Sequence, residues 1–224
     1  MSAQIHNTFN ENGFVIVSDI LTHQESQLLK AEIQTLTDSA KCKATKDGQD
    51  PENVAGHGVY VGLSTQSQIF RDAVKNKKIL DVLQVILSPN IEFLSDKAVF
   101  KSHRMDFDSP WHQDWHFGTD HLKSHLDWLD DTTVENGCLK LFPGSHKSAI
   151  IHNGEANDGR GFGYRLQPDA VDKSKAVTAE VSTGSGVFFH DLTLHASHPN
   201  RIGEDRWVWI PTYCDAQTED LSYS

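Results

Sequence analysis

The 224-residue sequence contains no run of about 18 apolar residues, the length a helix needs to cross a bilayer. Its first residues, MSAQIHNTFNENGF, lack the apolar stretch of a secretory signal, and its last, LSYS, are not the SKL peroxisomal address. A cytoplasmic protein is the expectation. Cysteine is scarce: Cys42, Cys138 and Cys214 are odd in number, far apart and without a CxxC pair. That usage fits reduced thiols better than a disulfide or zinc-thiolate framework. Positive charge is also in short supply, with 20 Lys and Arg against 31 Asp and Glu and a formal net charge of −11. Such a surface repels phosphate backbones and anionic lipids, so neither nucleic acid nor a membrane is an expected partner. No internal repeat or low-complexity tract is present, and nothing in the sequence specifies an oligomer.

What is present suffices for a core. At 38% hydrophobic, the chain is expected to fold as one domain spanning 1–224. Thr22 and Glu25 form a capping box, and Leu28, Leu29, Ile33 and Leu36 follow at helical spacing, which predicts an amphipathic helix through about Ser39. The polar, glycine-rich KCKATKDGQDPENVAGHG (41–58) reads as a long loop suited to cover a pocket. A second helix is predicted from about Lys77 to Leu87, burying Ile79, Leu80, Leu83, Ile86 and Leu87 and stopped by SPN at 88–90. KNKK at 75–78 reads as its solvated start.

From Ile91 onward the texture changes to IEFLSDKAVFK, CLKLF, AVTAEV, GVFFH and RWVWIPTY, separated by turn signals. Short strands in that number predict an antiparallel sandwich or barrel over 91–224, with residues 1–90 as a mostly helical buttress outside it. A second long loop is expected at 143–170. Its GRGFG lacks the preceding strand and following helix of a phosphate loop and reads as a flexible connection.

The densest chemistry lies in WHQDWHFGTDH, Trp111 to His121. On a helix, His112 and His116 would sit four apart as in the zinc-hydrolase motif HExxH, but the general-base glutamate is replaced by Gln113. On a strand, His112, Asp114 and His116 share one face, opposite Trp111, Gln113 and Trp115. His112 and Asp114 then grip one ion, while His116 packs or meets substrate. Asp120, His121 and His125 read as solvated residues of a polar connection. One histidine and one carboxylate need a second imidazole to complete the facial triad used by ferrous iron, whose three open positions take a chelating 2-oxo acid and O2.

Candidates for that imidazole are His190, His195 and His198 in GSGVFFHDLTLHASHPN. Arg206 singles out His195: eleven residues further on, it opens RWVWIPTY and shares a face with Val208 and Ile210. A guanidinium there needs an anion, and its fork matches the far carboxylate of 2-oxoglutarate. Arg201 competes, but PNRIG is a turn.

Together WHQD (111–114), NGCLKLFPGSH (136–146), FFHDLTLHAS (188–197) and Arg206 resemble the phytanoyl-CoA dioxygenase family of iron(II) and 2-oxoglutarate dependent oxygenases. The similarity covers most of the chain, because FNENGFVIVSDILT and the helices also sit where that family places them. HxD alone is unspecific; the four elements in this order are not.

The resemblance implies a mainly β fold with flanking helices, a double-stranded β-helix of the jelly-roll, cupin-like kind. It makes His112, Asp114 and His195 the iron(II) ligands, Arg206 the partner of the 2-oxoglutarate C5 carboxylate, and Ser197 and Lys101 further co-substrate contacts. No catalytic group beyond the metal centre is implied. The implied reaction consumes O2 and decarboxylates 2-oxoglutarate to succinate and CO2 while an unactivated C–H bond is hydroxylated. A carboxylate at Asp114 favours this over halogenation, which needs a small residue there.

The family's namesake acts on a CoA thioester, but no basic cluster here suits a nucleotide. A small metabolite is expected instead, an amino acid or natural-product intermediate, with Trp111, Trp115, Phe117 and Trp128 as aromatic walls or core. Ser185 departs from the acidic residue often found before VFFH, and the chain is shorter than many relatives. The alternatives are a zinc hydrolase built on HQDWH and a non-catalytic jelly-roll binding module.

Overall fold

In the computed structural model, residues 2–54, 58–102, 109–114, 123–148 and 172–217 are described. Helix α1 (Ser2–Asn12) precedes strand β1 (Phe14–Val17), and α2 (His23–Lys46) begins where its capping box dictates. The Thr22 hydroxyl accepts from the Glu25 N–H at 3.2 Å, and the Glu25 carboxylate accepts from the Thr22 N–H at 2.7 Å. The helix runs on to Lys46, so the first residues of the expected 41–58 loop are helical. KCKATK contains no glycine or proline to stop it, Ala44 is buried, and Lys43 and Lys46 sit favourably by the carbonyl end. Its buried face is Ser26, Leu29, Ile33, Thr37 and Ala44, whereas Leu28 is 51% exposed.

Strand β2 (Val59–Val61) leads into the short helices α3 (Leu63–Gln66) and α4 (Gln68–Ala73), and then α5 (Lys77–Ile86). The predicted second helix is α5, capped by the Asn76 side chain, which accepts from the Lys78 N–H at 2.9 Å. Helix α1 packs on α5 and buries only Phe9, so its polar sequence carries little periodic signal.

The remaining strands are β3 (Ile91–Lys101), β4 (Ser109–His112), β5 (Lys123–Trp128), β6 (Leu139–Leu141), β7 (Val177–Ala179), β8 (Gly186–His190), β9 (His195–Ser197) and β10 (Arg206–Asp215). They form a six-stranded sheet, β1-β8-β5-β10-β3-β2, and a four-stranded sheet, β4-β9-β6-β7, antiparallel throughout. The fold is mainly β with flanking helices, a jelly-roll sandwich rather than a closed barrel. KSHLDW, expected to be a polar connection holding His125, is instead the strand β5 between β8 and β10. Pairing on both edges overrides its polar composition.

Alternation along β10 organises the layers. Trp207, Trp209 and Tyr213 join the core that the helices cover, together with Ala98 of β3 and Phe188 of β8. The intervening Val208 turns the other way and packs with Phe14, Leu139, Leu141, Ala179, Val187 and Phe189 between the sheets. Trp209 is wholly buried, packs near Phe70 with ring centroids 5.6 Å apart, and donates Nε1–H to Asp96 at 3.4 Å. Two glycines let loops close on this frame. Gly13 (φ +83) leaves no room for a Cβ beside His146 and Thr193, and its carbonyl accepts from the His190 N–H and the Thr193 hydroxyl, each at 2.8 Å. Gly137 (φ +79) lies against the His198 carbonyl, where any side chain would collide.

Trp209→Ala is expected to destabilise the protein by about 3–5 kcal/mol, Thr22→Ala by about 1 kcal/mol, and Leu28→Ala by no more than about 0.5 kcal/mol. Urea unfolding checks the order; a Leu28 effect as large as that of Trp209 would contradict the assignment of faces.

Candidate active site

Strand β4 is the strand reading of the HxD segment. It pairs with β9 so that His112 stands opposite His195 and Ser109 opposite Ser197. The cross-strand register brings the two imidazoles together, with ring centroids 4.1 Å apart. Just beyond the strand, the Asp114 N–H donates to the Asp191 carbonyl at 2.8 Å, which turns the chain so that its carboxylate joins the histidines. Gln113 points away: it is 3% exposed, and its amide donates to the Leu192 and Ser148 carbonyls at 2.6 and 3.1 Å. A strand at His112 and a buried amide at 113 exclude the helical HExxH arrangement. His116 lies outside the described residues, as do Trp115, Phe117, Asp120, His121 and most of the expected 143–170 loop.

Each histidine is oriented by its second nitrogen. Nδ1 of His112 lies 2.7 Å from the Pro110 carbonyl, and Nδ1 of His195 lies 2.8 Å from the Thr193 carbonyl. A carbonyl only accepts, so each Nδ1 donates to it and each Nε2 is turned toward the Asp114 carboxylate, the orientation a metal ligand needs. These Nε2 atoms stand 3.4 and 3.8 Å from Asp114 Oδ1, and the ligand atoms of the three residues all lie within 4.8 Å of one another. Adjacent donors about 2.1 Å from one ion are about 3 Å apart, so a small closure seats a metal. Burial alone would raise the Asp114 carboxyl, but the facing His195 and His112 outweigh it and hold the group well below the usual carboxylate range. Burial, helped by His112, pushes His195 down to about 4, so it is neutral at pH 7 as a metal ligand must be.

The other predicted residues line the same cavity, of about 120 Å³. Arg206, 4% exposed, starts β10 directly opposite Lys101 of β3. Burial pulls the guanidinium down to about 10, leaving it cationic at neutral pH. Lys101 is not at the surface, as a lysine usually is: it is 1% exposed and donates to the Ser197 and His198 carbonyls at 3.1 and 2.5 Å. Ser197 is buried on β9. His190 is turned aside by Asp191, His198 is exposed beside Lys140, and Arg201 lies in an exposed turn. Trp111 is half-buried on β4.

The NGCLKLFPGSH segment has a structural role. Phe142 N–H donates to the Leu194 carbonyl at 2.9 Å, and the Ser145 hydroxyl accepts from the Leu194 N–H at 2.8 Å, clamping the residue before His195. Two further cavity residues have no role assigned from the sequence, although Phe189 lies within FFHDLTLHAS. Phe189 packs on the His195 ring with centroids 4.9 Å apart, and Lys97 shares the inner face of β3 with Val99 and Lys101. The period-2 pattern of IEFLSDKAVFK contains that signal.

His195 is expected to make metal-free protein pH-sensitive. Its folded pKa lies below its unfolded value of about 6.5, so the unfolded chain binds the extra proton and the contribution is complete above that value. It is lost as pH falls toward 4, on the order of 3 kcal/mol, with Asp114 acting in the same direction. Urea midpoints measured from pH 7 to 4 should fall less steeply in His195→Gln than in the parent.

A sequence profile described as "Phytanoyl-CoA dioxygenase (PhyH)" matches residues 9–207. A "Phytanoyl-CoA dioxygenase domain-containing protein 1 homolog" of Caenorhabditis briggsae is 22% identical over 98% of this chain and 93% of its own. A "Probable alpha-ketoglutarate-dependent hypophosphite dioxygenase" of Stutzerimonas stutzeri is 30% identical over 57% of this chain and 46% of its own. Among solved structures, EvdO2 of Micromonospora carbonacea var. aurantiaca, complexed with 2-oxoglutarate, superposes with a TM-score of 0.75 at 22% identity, covering 98% of this chain and 92% of that one. With the profile spanning most of its length, the chain belongs to the phytanoyl-CoA dioxygenase family, and with it to the iron(II) and 2-oxoglutarate dependent dioxygenases its motifs resemble.

Proposed function

We propose that His112, Asp114 and His195 hold one ferrous ion, that Arg206 pairs with the C5 carboxylate of 2-oxoglutarate, and that the product is a hydroxylated small metabolite. The convergence of the three donors and Arg206 on one cavity carries this reading. The donor set fits the metal: two imidazoles and one carboxylate on one face would leave positions for a 2-oxo acid and O2. The iron supplies the oxidising chemistry, in which substrate, O2 and 2-oxoglutarate become hydroxylated product, succinate and CO2.

The chain's own residues position the reactants. The carbonyls of Pro110 and Thr193 keep both Nε2 atoms aimed inward. Arg206 offers a planar fork in a buried setting, where charge-assisted hydrogen bonds count most. Lys101 and Ser197 flank it and complete the co-substrate end of the cavity. Leu139, Phe189, Val208 and Ile210 wall the cavity with apolar surface that excludes water. Asp114 fills the coordination position that halogenation would need vacant, which supports hydroxylation.

The modest cavity and the relative named for hypophosphite oxidation support a small substrate, an amino acid or natural-product intermediate. We read 1–224 as one catalytic domain. No helix among the described residues is long and apolar enough to cross a membrane, and three free cysteines support a reducing, cytoplasmic setting.

Anaerobic addition of Fe(II) and 2-oxoglutarate to metal-free protein is expected to produce a weak visible charge-transfer band. His112→Ala and Asp114→Ala should abolish it, and Arg206→Ala should weaken 2-oxoglutarate binding roughly 30-fold or more. Absence of the band in the parent overturns the reading; unchanged 2-oxoglutarate affinity in Arg206→Ala overturns the anchor.

A further inference from the structure

We propose that the substrate oxidised at this centre is an anion, carrying a carboxylate or a phosphorus oxyanion, and that Lys97 is the residue that recognises it. The inference rests on the reading of the site as an iron(II) and 2-oxoglutarate centre.

Charge is the first argument. Among the described residues, Lys97, Lys101 and Arg206 line the cavity against a single carboxylate, Asp114. A ferrous ion and the 2-oxoglutarate dianion cancel each other, so loading the site leaves the excess of two positive charges intact. Asp130, whose charge reaches Arg206, is already paired with Lys30 at 2.6 Å. A positive cavity in a chain of net charge −11 draws in small anions selectively.

Position is the second argument. Lys101 stands opposite Arg206, and Lys97 stands opposite Ile210, four residues further along the same pair of strands. That offset is about 13 Å along the sheet at strand rise. 2-Oxoglutarate at full stretch covers about half of it, so a co-substrate anchored on Arg206 leaves Lys97 to a different molecule. Lys97 nevertheless lines the same cavity as Asp114 and His195, and its charge reaches both.

Availability is the third. Lys101 commits its ammonium to two carbonyls, whereas the ammonium of half-buried Lys97 makes no hydrogen bond or ion pair among the described residues. Its strand is fixed on both sides, by Val61 of β2 and Ile210 of β10, so the lysine projects from a rigid platform.

The test uses the anaerobic Fe(II) and 2-oxoglutarate holoenzyme and proton relaxation of small probes near the paramagnetic ion. Acetate and methylphosphonate are expected to show saturable methyl relaxation enhancement, and acetamide none; the two anions distinguish a carboxylate from a phosphorus site. Lys97→Met should weaken both anions at least tenfold and Lys97→Arg should retain them, with 2-oxoglutarate affinity and the charge-transfer band unaltered in each. Equal behaviour of acetate and acetamide, no saturable enhancement by either anion, or full binding in Lys97→Met would overturn the assignment. Loss of the band in the parent would instead count against the iron and 2-oxoglutarate reading itself.

Discussion

The site depends on one register. Because β4 meets β9 with His112 opposite His195, two imidazoles far apart in the chain face each other. Each is then locked by an Nδ1 hydrogen bond to a carbonyl two residues before it, so that neither ring can turn its second nitrogen inward without losing that bond. Asp114 follows from the same geometry. A strand that ends at His112 and a main-chain bond from Asp114 to Asp191 bring the carboxylate round to the histidine face. A one-residue slip between these short strands would send His195 to the opposite face and dissolve the constellation.

The rest of the fold guards that register. Residues 136–146 clamp Leu194 through Phe142 and Ser145, and Gly137 lets this segment approach the chain just past β9. Gly13, at the end of α1, accepts hydrogen bonds from both His190 and Thr193, so the N-terminal helix braces the approach to the distal histidine. Behind β10 and β3, Trp207, Trp209 and Tyr213 are buried under the helices, which fixes the direction in which Arg206, Lys97 and Lys101 face. The helical layer thus contributes to function by setting the orientation of one sheet.

Legibility in the sequence follows length and periodicity. Strands β3 and β10 are long and rich in β-branched and aromatic residues, and alternation alone puts Arg206, Val208 and Ile210 on one face. The capping box at Thr22 and the apolar repeat of α5 are equally plain. The contents of the cavity are legible through motif order, since three-residue β9 and four-residue β4 carry too little pattern to reveal their pairing. Where tertiary contacts decide, local reading fails. The polar composition of β5 suggests a loop around His125, adjacency to Leu29 suggests a core position for Leu28, and the lysines in the last turns of α2 suggest an earlier end to that helix. A surface position is the ordinary expectation for a lysine, yet Lys101 is buried, because only three-dimensional proximity supplies the carbonyls of Ser197 and His198 that satisfy its ammonium.

The most direct test of the central claim is a crystal structure of the anaerobic iron(II)-loaded protein, with iron located by its anomalous scattering. The account predicts one ion per chain, bound by Nε2 of His112, Nε2 of His195 and a carboxylate oxygen of Asp114, each at about 2.1 Å. Iron held elsewhere, or ligated through Nδ1 of either histidine, would contradict it.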